Sequence, residues 1–406
     1  MTRRIAVVGA GMAAARFAER FQALGGDAEV TLYGAEPRAP YNRVLLADVL
    51  AGRYAADDLT LPAGEARLRT GCEVTGLDTV AQTLELADGG HVPYDELVLA
   101  TGAEPVACGE LGRSRVHVVR TADDGEALAG AAARARRAVV IGGGVLGVSV
   151  ARALASRGLP VTIVHRAPHL VERDLDGPAG ELLRQGLAGL GVEVRTGVSV
   201  RETETGAETG AEAEAEAEAY GDGRLELSDG HTLDADLVIA ACGVTPRTAL
   251  ARAAGLPVRT GVVVDDRLSC APGVYAIGDC AEHAGRTHGT AGAAWEQADV
   301  LAARLSGASP GAAYEGSRPY ARLSAGPLEY AAFGEAAAAG EDGLDVLRIA
   351  DATRGSYKKL VLRGDRIAGA ILLGDLATVG VLARAYERDE PVPSAPFHLL
   401  TSQGAS

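Results

Sequence analysis

The chain has 406 residues, 47% of them hydrophobic, and a formal net charge of −15, so it is long enough for two or three domains with true cores. The acidic balance excludes nucleic acid and an anionic membrane surface as partners, since either demands a basic face. The longest uncharged apolar stretch, 138 to 151, falls short of the ~20 residues of a membrane span.

Five cysteines, at 72, 108, 242, 270 and 280, include no C-x-x-C and suggest neither a disulfide framework nor a zinc site. No metal is expected, and the pattern fits a reducing cytoplasm. Arg3-Arg4, an apolar run and Ala13-Ala14-Ala15 imitate a secretion signal, but a charged helix and a second strand follow at dinucleotide-fold spacing.

In chain order, residues 5 to 8 read as a short apolar strand. Gly9 and Gly11 permit a tight turn close to a pyrophosphate, Met12 opens a helix, and Ala14 is small enough for that helix to pack on the strand. Free N–H groups and a partial positive charge at the helix start then face the phosphates. The helix is expected from 12 to about 24, and a second strand from 29 to 33. An acid about 20 residues beyond the last glycine slot binds ribose hydroxyls in such units, and Glu36 stands close to that position. Arg43 reads either as a bidentate clamp on the pyrophosphate or as a surface arginine. Residues 73 to 78 read as a strand edge that holds an adenine through the backbone of Val74. The strand from 96 to 100 ends in a tight turn at Thr101-Gly102.

The glycine spacing recurs at 139 to 147, where Gly142, Gly144 and Gly147 take the three slots and Val145 and Leu146 open the helix. Two cradles imply two dinucleotides. The second strand of this unit, 160 to 164, ends at His165-Arg166, where an NAD-selective site has an acid. Arg166 instead offers a forked cation that suits the 2′-phosphate of NADPH, and His165 does not oppose it. Residues 202 to 220, mostly Ala and Glu with seven glutamates, read as a solvated, partly disordered hairpin extension. Residues 237 to 241 are expected to be a buried strand that returns the chain to the first domain. A turn follows from Gly243 to Arg247, then a strand from 274 to 277 that ends at Gly278-Asp279, then a helix from about Thr290. Strands at 344–349, 357–362 and 367–373 close the chain. The predicted fold class is α/β: two Rossmann-like dinucleotide-binding domains, the second inserted in the first, plus a small α+β C-terminal domain. The expected boundaries are 1–120, 121–236, 237–312 and 313–406.

The collinear stretches 9–14, 36–43, 120–121, 171–176, 275–283, 295–298 and 355–360 resemble the flavoprotein pyridine nucleotide-disulfide reductase superfamily. The likeness is greatest to the FAD/NAD-binding N-terminal half of assimilatory NAD(P)H nitrite reductase large subunits, and it covers nearly the whole chain. It implies FAD in the first domain and NADPH or NADH in the second, with hydride passing to the flavin and electrons onward to an acceptor. The acceptor expected is a ferredoxin- or rubredoxin-type protein or a separate reductase subunit. The alternatives are a stand-alone flavoenzyme acting on a small molecule and a non-catalytic redox sensor. The resemblance further implies that Asp279 binds the flavin ribityl hydroxyls and that the helix near Thr290 points at the flavin pyrimidine. Trp295 either touches the flavin or packs in the core, and Cys280 is a buried spectator. A monomer and a homodimer are both compatible.

Three departures matter. Nitrite reductase subunits continue into segments for iron–sulfur clusters and sirohaem, so this chain, ending at Ser406, is not expected to reduce nitrite alone. It has no redox cysteine pair, and Asp48 stands where related ferredoxin reductases have a lysine near the flavin. The only lysines, among 39 Lys plus Arg, are Lys358 and Lys359. Neighbours on a strand point to opposite faces, so one is expected to face the protein body, near the flavin or the acceptor; the alternative is two ordinary surface charges.

Overall fold

The computed structural model describes residues 2–106, 116–201, 224–323, 328–338, 343–351 and 353–401. The chain divides into two compact units. Met1–Pro105, Arg120–Ala122 and Val244–Ser317 make the first, and Val106–Val119, Asp123–Gly243 and Arg318–Ser406 the second.

In the first unit a six-stranded sheet has the order Ser269–Ala271, Val274–Ala276, Glu96–Leu99, Arg4–Val8, Glu29–Tyr33, Arg67–Arg69. Arg4–Val8 pairs in parallel with both neighbours, Val7 lying opposite Leu32 and Val98. Strands covered on both faces read as continuous apolar runs, and Ile5, Ala6, Val7 and Val8 are all buried. Helix Met12–Ala23 buries Ala14, Phe17, Ala18 and Phe21, the stripe of a helix with one covered face. That stripe shares its core with Ala298, Leu301 and Ala302 of helix Ala291–Leu305. A separate antiparallel sheet joins Val74–Asp78, Thr83–Leu86 and His91–Pro93.

The second unit holds five parallel strands in the order Val192–Thr196, Val161–His165, Ala138–Ile141, Leu237–Ala240, Val116–His117. Here an expectation is corrected. Leu237–Ala240 does not return the chain to the first sheet; it pairs in parallel with Ala138–Ile141, Val140 opposite Ile239. The crossing falls at Val244. The physical reason is repetition: Leu237–Ala240 stands beside the glycine-turn strand of its sheet as Glu96–Leu99 stands beside Arg4–Val8. Each then runs through an alanine into a glycine of positive φ, Gly102 at 70° and Gly243 at 103°. The expected boundary after 120 shifts likewise, because Val116–His117 pairs with Leu237–Ala240. The boundary expected at 312 moves to 317, since Tyr314 is buried in the first unit's core. The Ala/Glu run 202–220 lies outside the described residues.

The C-terminal part of the second unit is the small α+β structure expected. Five antiparallel strands have the order Tyr320–Leu323, Tyr330–Gly334, Arg366–Leu373, Ser356–Arg363, Leu344–Asp351. Leu382 of helix Val379–Glu387 packs with Phe333, Leu360, Leu362, Ile367 and Leu372. Among the described residues no helix is long and apolar enough to cross a membrane.

Candidate functional site

The two glycine turns share one set of backbone hydrogen bonds. Gly9 N–H donates to Tyr33 O and Ala100 N–H to Val8 O, both at 2.8 Å; Gly142 N–H donates to Val164 O and Ala241 N–H to Ile141 O, also both at 2.8 Å. Gly9 has φ +109° and Gly142 φ +110°. A Cβ would come within 2.2 Å of Ala100 O at Gly9 and 2.3 Å of Ala241 O at Gly142, so only glycine fits. Helices Met12–Ala23 and Val145–Ser156 start from Gly11 and Gly144 without any side-chain cap. Their first-turn N–H groups, those of Met12, Val145 and Leu146 included, are left for an anion. By contrast, helix Gly177–Gly189 has its first turn capped by Asp176. In the third slot Ala14 is fully buried, while a Cβ on Gly147 would meet Gly142 O at 1.9 Å. The second helix therefore sits closer to its strand than an alanine allows.

Around the first cradle, Glu36, Arg43 and Asp279 are brought into one chain of contacts by two residues the sequence reading had not picked as ligand contacts, Tyr41 and Arg120. The buried Tyr41 hydroxyl donates to Glu36 Oε2 at 2.7 Å and accepts from Ala122 N–H at 2.9 Å. Arg43 pairs with Glu36, lies over the Tyr41 ring at 5.1 Å, and donates to Arg120 O at 3.0 Å. Arg120 in turn donates to Ala103 O at 3.1 Å and pairs with Asp279 at 2.6 Å. Burial pushes the Tyr41 phenol above its ordinary range, which keeps it a donor to the carboxylate. The signal for Tyr41 was its place between Glu36 and Arg43; Arg120 had none beyond its neighbour Thr121 in the family-like pair. Tyr41→Phe leaves the ring under Arg43 but strands the Ala122 N–H, so we expect a loss of about 1–3 kcal/mol, read by urea unfolding.

The remaining first-unit residues are placed as follows. Val74 is half-buried against the main core, Thr101 Oγ1 donates to Arg247 O at 2.9 Å, and Gly278 N–H donates to Gln297 Oε1 at 2.7 Å. The buried Gln297 thus ties the Asp279 turn to helix Ala291–Leu305, whose start at Thr290 is also uncapped. Trp295 is 37% exposed, so the core-packing alternative is set aside: the buried stripe runs through Ala294, Ala298, Leu301 and Leu305, and Trp295 lies beside it. Cys280 is buried as expected, donates to Ile277 O at 3.3 Å, and has its thiol pushed up by burial, which disfavours the reactive thiolate. Asp48 pairs with Arg53.

In the second unit His165 is buried and Arg166 exposed at the end of strand Val161–His165. Cys242, next to Gly243, is in a disulfide, which corrects the expectation that the widely spaced cysteines form none, while Cys72, Cys270 and Cys280 are free. Lys358 and Lys359 alternate across their strand as expected, but neither is a surface charge. Lys358 Nζ lies 2.7 Å from Asp375, and Lys359, with 0% exposure, lies 3.0 Å from Asp176 Oδ2. That oxygen also accepts from Tyr357 at 2.8 Å. Among the described residues no His, Cys, Asp and Glu cluster is arranged for a metal.

Comparison with known proteins agrees with this geometry. Residues 3–298 match the family model described as pyridine nucleotide-disulphide oxidoreductase, and residues 319–389 match the rubredoxin NAD+ reductase C-terminal domain. The chain is 36% identical over 387 residues to a nitrite reductase [NAD(P)H] of Bacillus subtilis, covering 92% of this chain and 46% of that protein. It is 33% identical over 383 residues to the assimilatory nitrate reductase electron transfer subunit of the same organism, covering 92% of this chain and 48% of the relative. The chain therefore spans about half the length of these relatives. Among solved structures, putidaredoxin reductase in its covalent complex with putidaredoxin aligns with TM-score 0.83 and 26% identity, over 98% of this chain and 96% of that one.

Proposed function

Because this chain belongs to the pyridine nucleotide-disulphide oxidoreductase family, we propose that it is an FAD-dependent NAD(P)H oxidoreductase that delivers electrons to a redox partner protein. The observation that carries the reading is the repeated cradle, with its matched hydrogen bonds and its two uncapped helix starts. Two turns that exclude a Cβ and leave N–H groups open fit two dinucleotides.

We assign FAD to the first cradle. Gly9, Gly11, Met12, Ala14 and Arg43 receive the pyrophosphate, Glu36 the adenosine ribose, and Asp279 the ribityl chain. The second cradle, Gly142 to Gly147, takes the nicotinamide dinucleotide. When bound, FAD supplies a hydride acceptor that can return the electrons to a partner. The protein's own part is to bind and orient, since transfer between two rings needs alignment more than acid–base help. The uncapped start of helix Ala291–Leu305 favours negative charge near it. The partner is proposed as a small redox protein or a separate reductase subunit. It is supported by the relative named as an electron transfer subunit and by the solved reductase–putidaredoxin complex. A cytoplasmic location is proposed on the free thiols of Cys72, Cys270 and Cys280, and the disulfide at Cys242 counts against it.

The test is to measure flavin content after purification, add NADH or NADPH without oxygen, and follow the loss of flavin absorbance. Ferredoxin, rubredoxin and nitrite reductase polypeptides are then added and reoxidation timed. Reduction followed by rapid reoxidation with a protein acceptor is expected. A flavin-free protein, or a bound flavin that neither nucleotide reduces, would overturn the reading.

A further inference from the structure

The second strand of a dinucleotide-binding βαβ unit ends where the adenosine ribose lies, and the side chain there decides whether a 2′-phosphate is accepted. In this chain that residue is His165, and its ring is already engaged. Gly143 N–H donates to His165 Nδ1 at 3.0 Å. Because Nδ1 accepts, the neutral ring has its proton on Nε2, which faces Glu172 Oε2 at 3.0 Å. The imidazole rests on the glycine turn itself: a Cβ on Gly143 would come 2.8 Å from His165 Cγ and 2.5 Å from Leu170 Cδ2.

The segment that bears Glu172 is fastened to the same turn. Val171 N–H donates to Gly143 O at 2.9 Å, Val171 adopts φ +52°, and Leu170 and Val171 are buried. Glu172 is thus an oriented carboxylate with a side chain 34% exposed, and its Oε1 has no hydrogen-bond partner among the described residues. Arg166 is exposed and makes no hydrogen bond or ion pair among them. A forked cation binds phosphate well when it is held in place, and here the held charge is the acid.

We propose that Glu172, set by His165, selects the dinucleotide of the second cradle. Its carboxylate accepts hydrogen bonds from the adenosine ribose hydroxyls and repels a 2′-phosphate, so the site takes NADH in preference to NADPH. Glu172 does the work of the acid missing from the strand end, and His165 is a positioning residue. The proposal rests on reading the second cradle as the nicotinamide dinucleotide site, and it runs against the NADPH preference expected from Arg166.

The experiment is calorimetric titration of the FAD-loaded protein with NAD+ and NADP+, which reads binding without turnover. Wild type is expected to bind NAD+ at least about tenfold more tightly than NADP+, the size of one charged hydrogen bond exchanged for a like-charge clash. Glu172→Gln and Glu172→Ala should bring the two dissociation constants together, mainly by tightening NADP+. His165→Phe, which leaves the carboxylate unheld, should narrow the ratio as well, a change that loss of stability alone does not produce. Arg166→Ala should leave the ratio near wild type. A wild-type preference for NADP+ that Arg166→Ala removes would overturn the proposal, as would an NAD+ preference that survives both Glu172 variants. If neither nucleotide binds, the assignment of the second cradle fails and the proposal falls with it.

Discussion

Lys359→Met is expected to cost about 3–5 kcal/mol of stability, the penalty for stranding one member of a buried ion pair. Lys359 is fully buried and Asp176 nearly so, with 11% of its side chain exposed. Removing the ammonium leaves the Asp176 carboxylate with only the Tyr357 hydroxyl and the Ala179 N–H as donors. Burial alone would raise this carboxyl, but the hydrogen bonds from Tyr357, Lys359 and Ala179 outweigh it and hold it below the usual carboxylate range. A depressed folded-state value means that the stabilisation is present at neutral pH and is lost as the pH falls below about 4. In Lys359→Met the burial effect loses both the hydrogen bond and the charge of Lys359 as opponents, so acid unfolding should begin at a higher pH. Urea and pH unfolding followed by far-UV circular dichroism measure both effects. The double variant Asp176→Leu, Lys359→Met should recover much of the loss, because no buried charge remains unpaired. A direct role in electron transfer gives a different signature: Lys359→Arg would slow turnover at unchanged stability. That outcome would show that the ammonium is needed for more than the ion pair.

The pair also marks a limit of sequence reading. Lys359 and Asp176 are 183 positions apart, and a strand reading Tyr-Lys-Lys-Leu-Val-Leu says that its faces alternate but not that both cations are covered. Arg120 and Asp279, 159 apart, pose the same difficulty. The strand, glycine turn and helix of each cradle were legible because their signal is local: an apolar run, a position where no Cβ fits, and a small residue where helix meets strand. The membership of Leu237–Ala240 was not legible from composition, since a central parallel strand is apolar in whichever sheet it joins. What could have resolved it is the shared ending, Ala100-Thr101-Gly102 and Ala241-Cys242-Gly243, read as one repeated turn. For Trp295, the spacing of Ala294, Ala298, Leu301 and Leu305 already put the indole beside the buried stripe. Glu172 was passed over because the acid was sought at the strand end and not seven residues further on, where the chain folds back over Gly143.

Asp279→Ala is expected to yield a folded protein that purifies with little flavin, its affinity for FAD weakened roughly 10- to 100-fold, the equivalent of one charged hydrogen bond. Asp279 Oδ2 accepts from Arg120 at 2.6 Å, with 17% and 22% of the two side chains exposed. The carboxylate stands on the Gly278 turn, which Gln297 fixes, so its position survives changes at its partner. Two roles can then be separated. If the carboxylate serves only to neutralise Arg120, Asp279→Ala and Arg120→Ala should lower stability and leave flavin retention alike. If it accepts from the ribityl hydroxyls, Asp279→Ala should lose FAD more than Arg120→Ala does, and Asp279→Asn, which keeps one acceptor oxygen, should fall between. Equilibrium dialysis of the apoprotein against FAD gives the dissociation constants, and urea unfolding of the same apoproteins gives the stability term free of ligand linkage. Full flavin content in Asp279→Ala would remove this residue from the FAD contacts and leave the cradle around Gly9 to hold the cofactor from the pyrophosphate end alone.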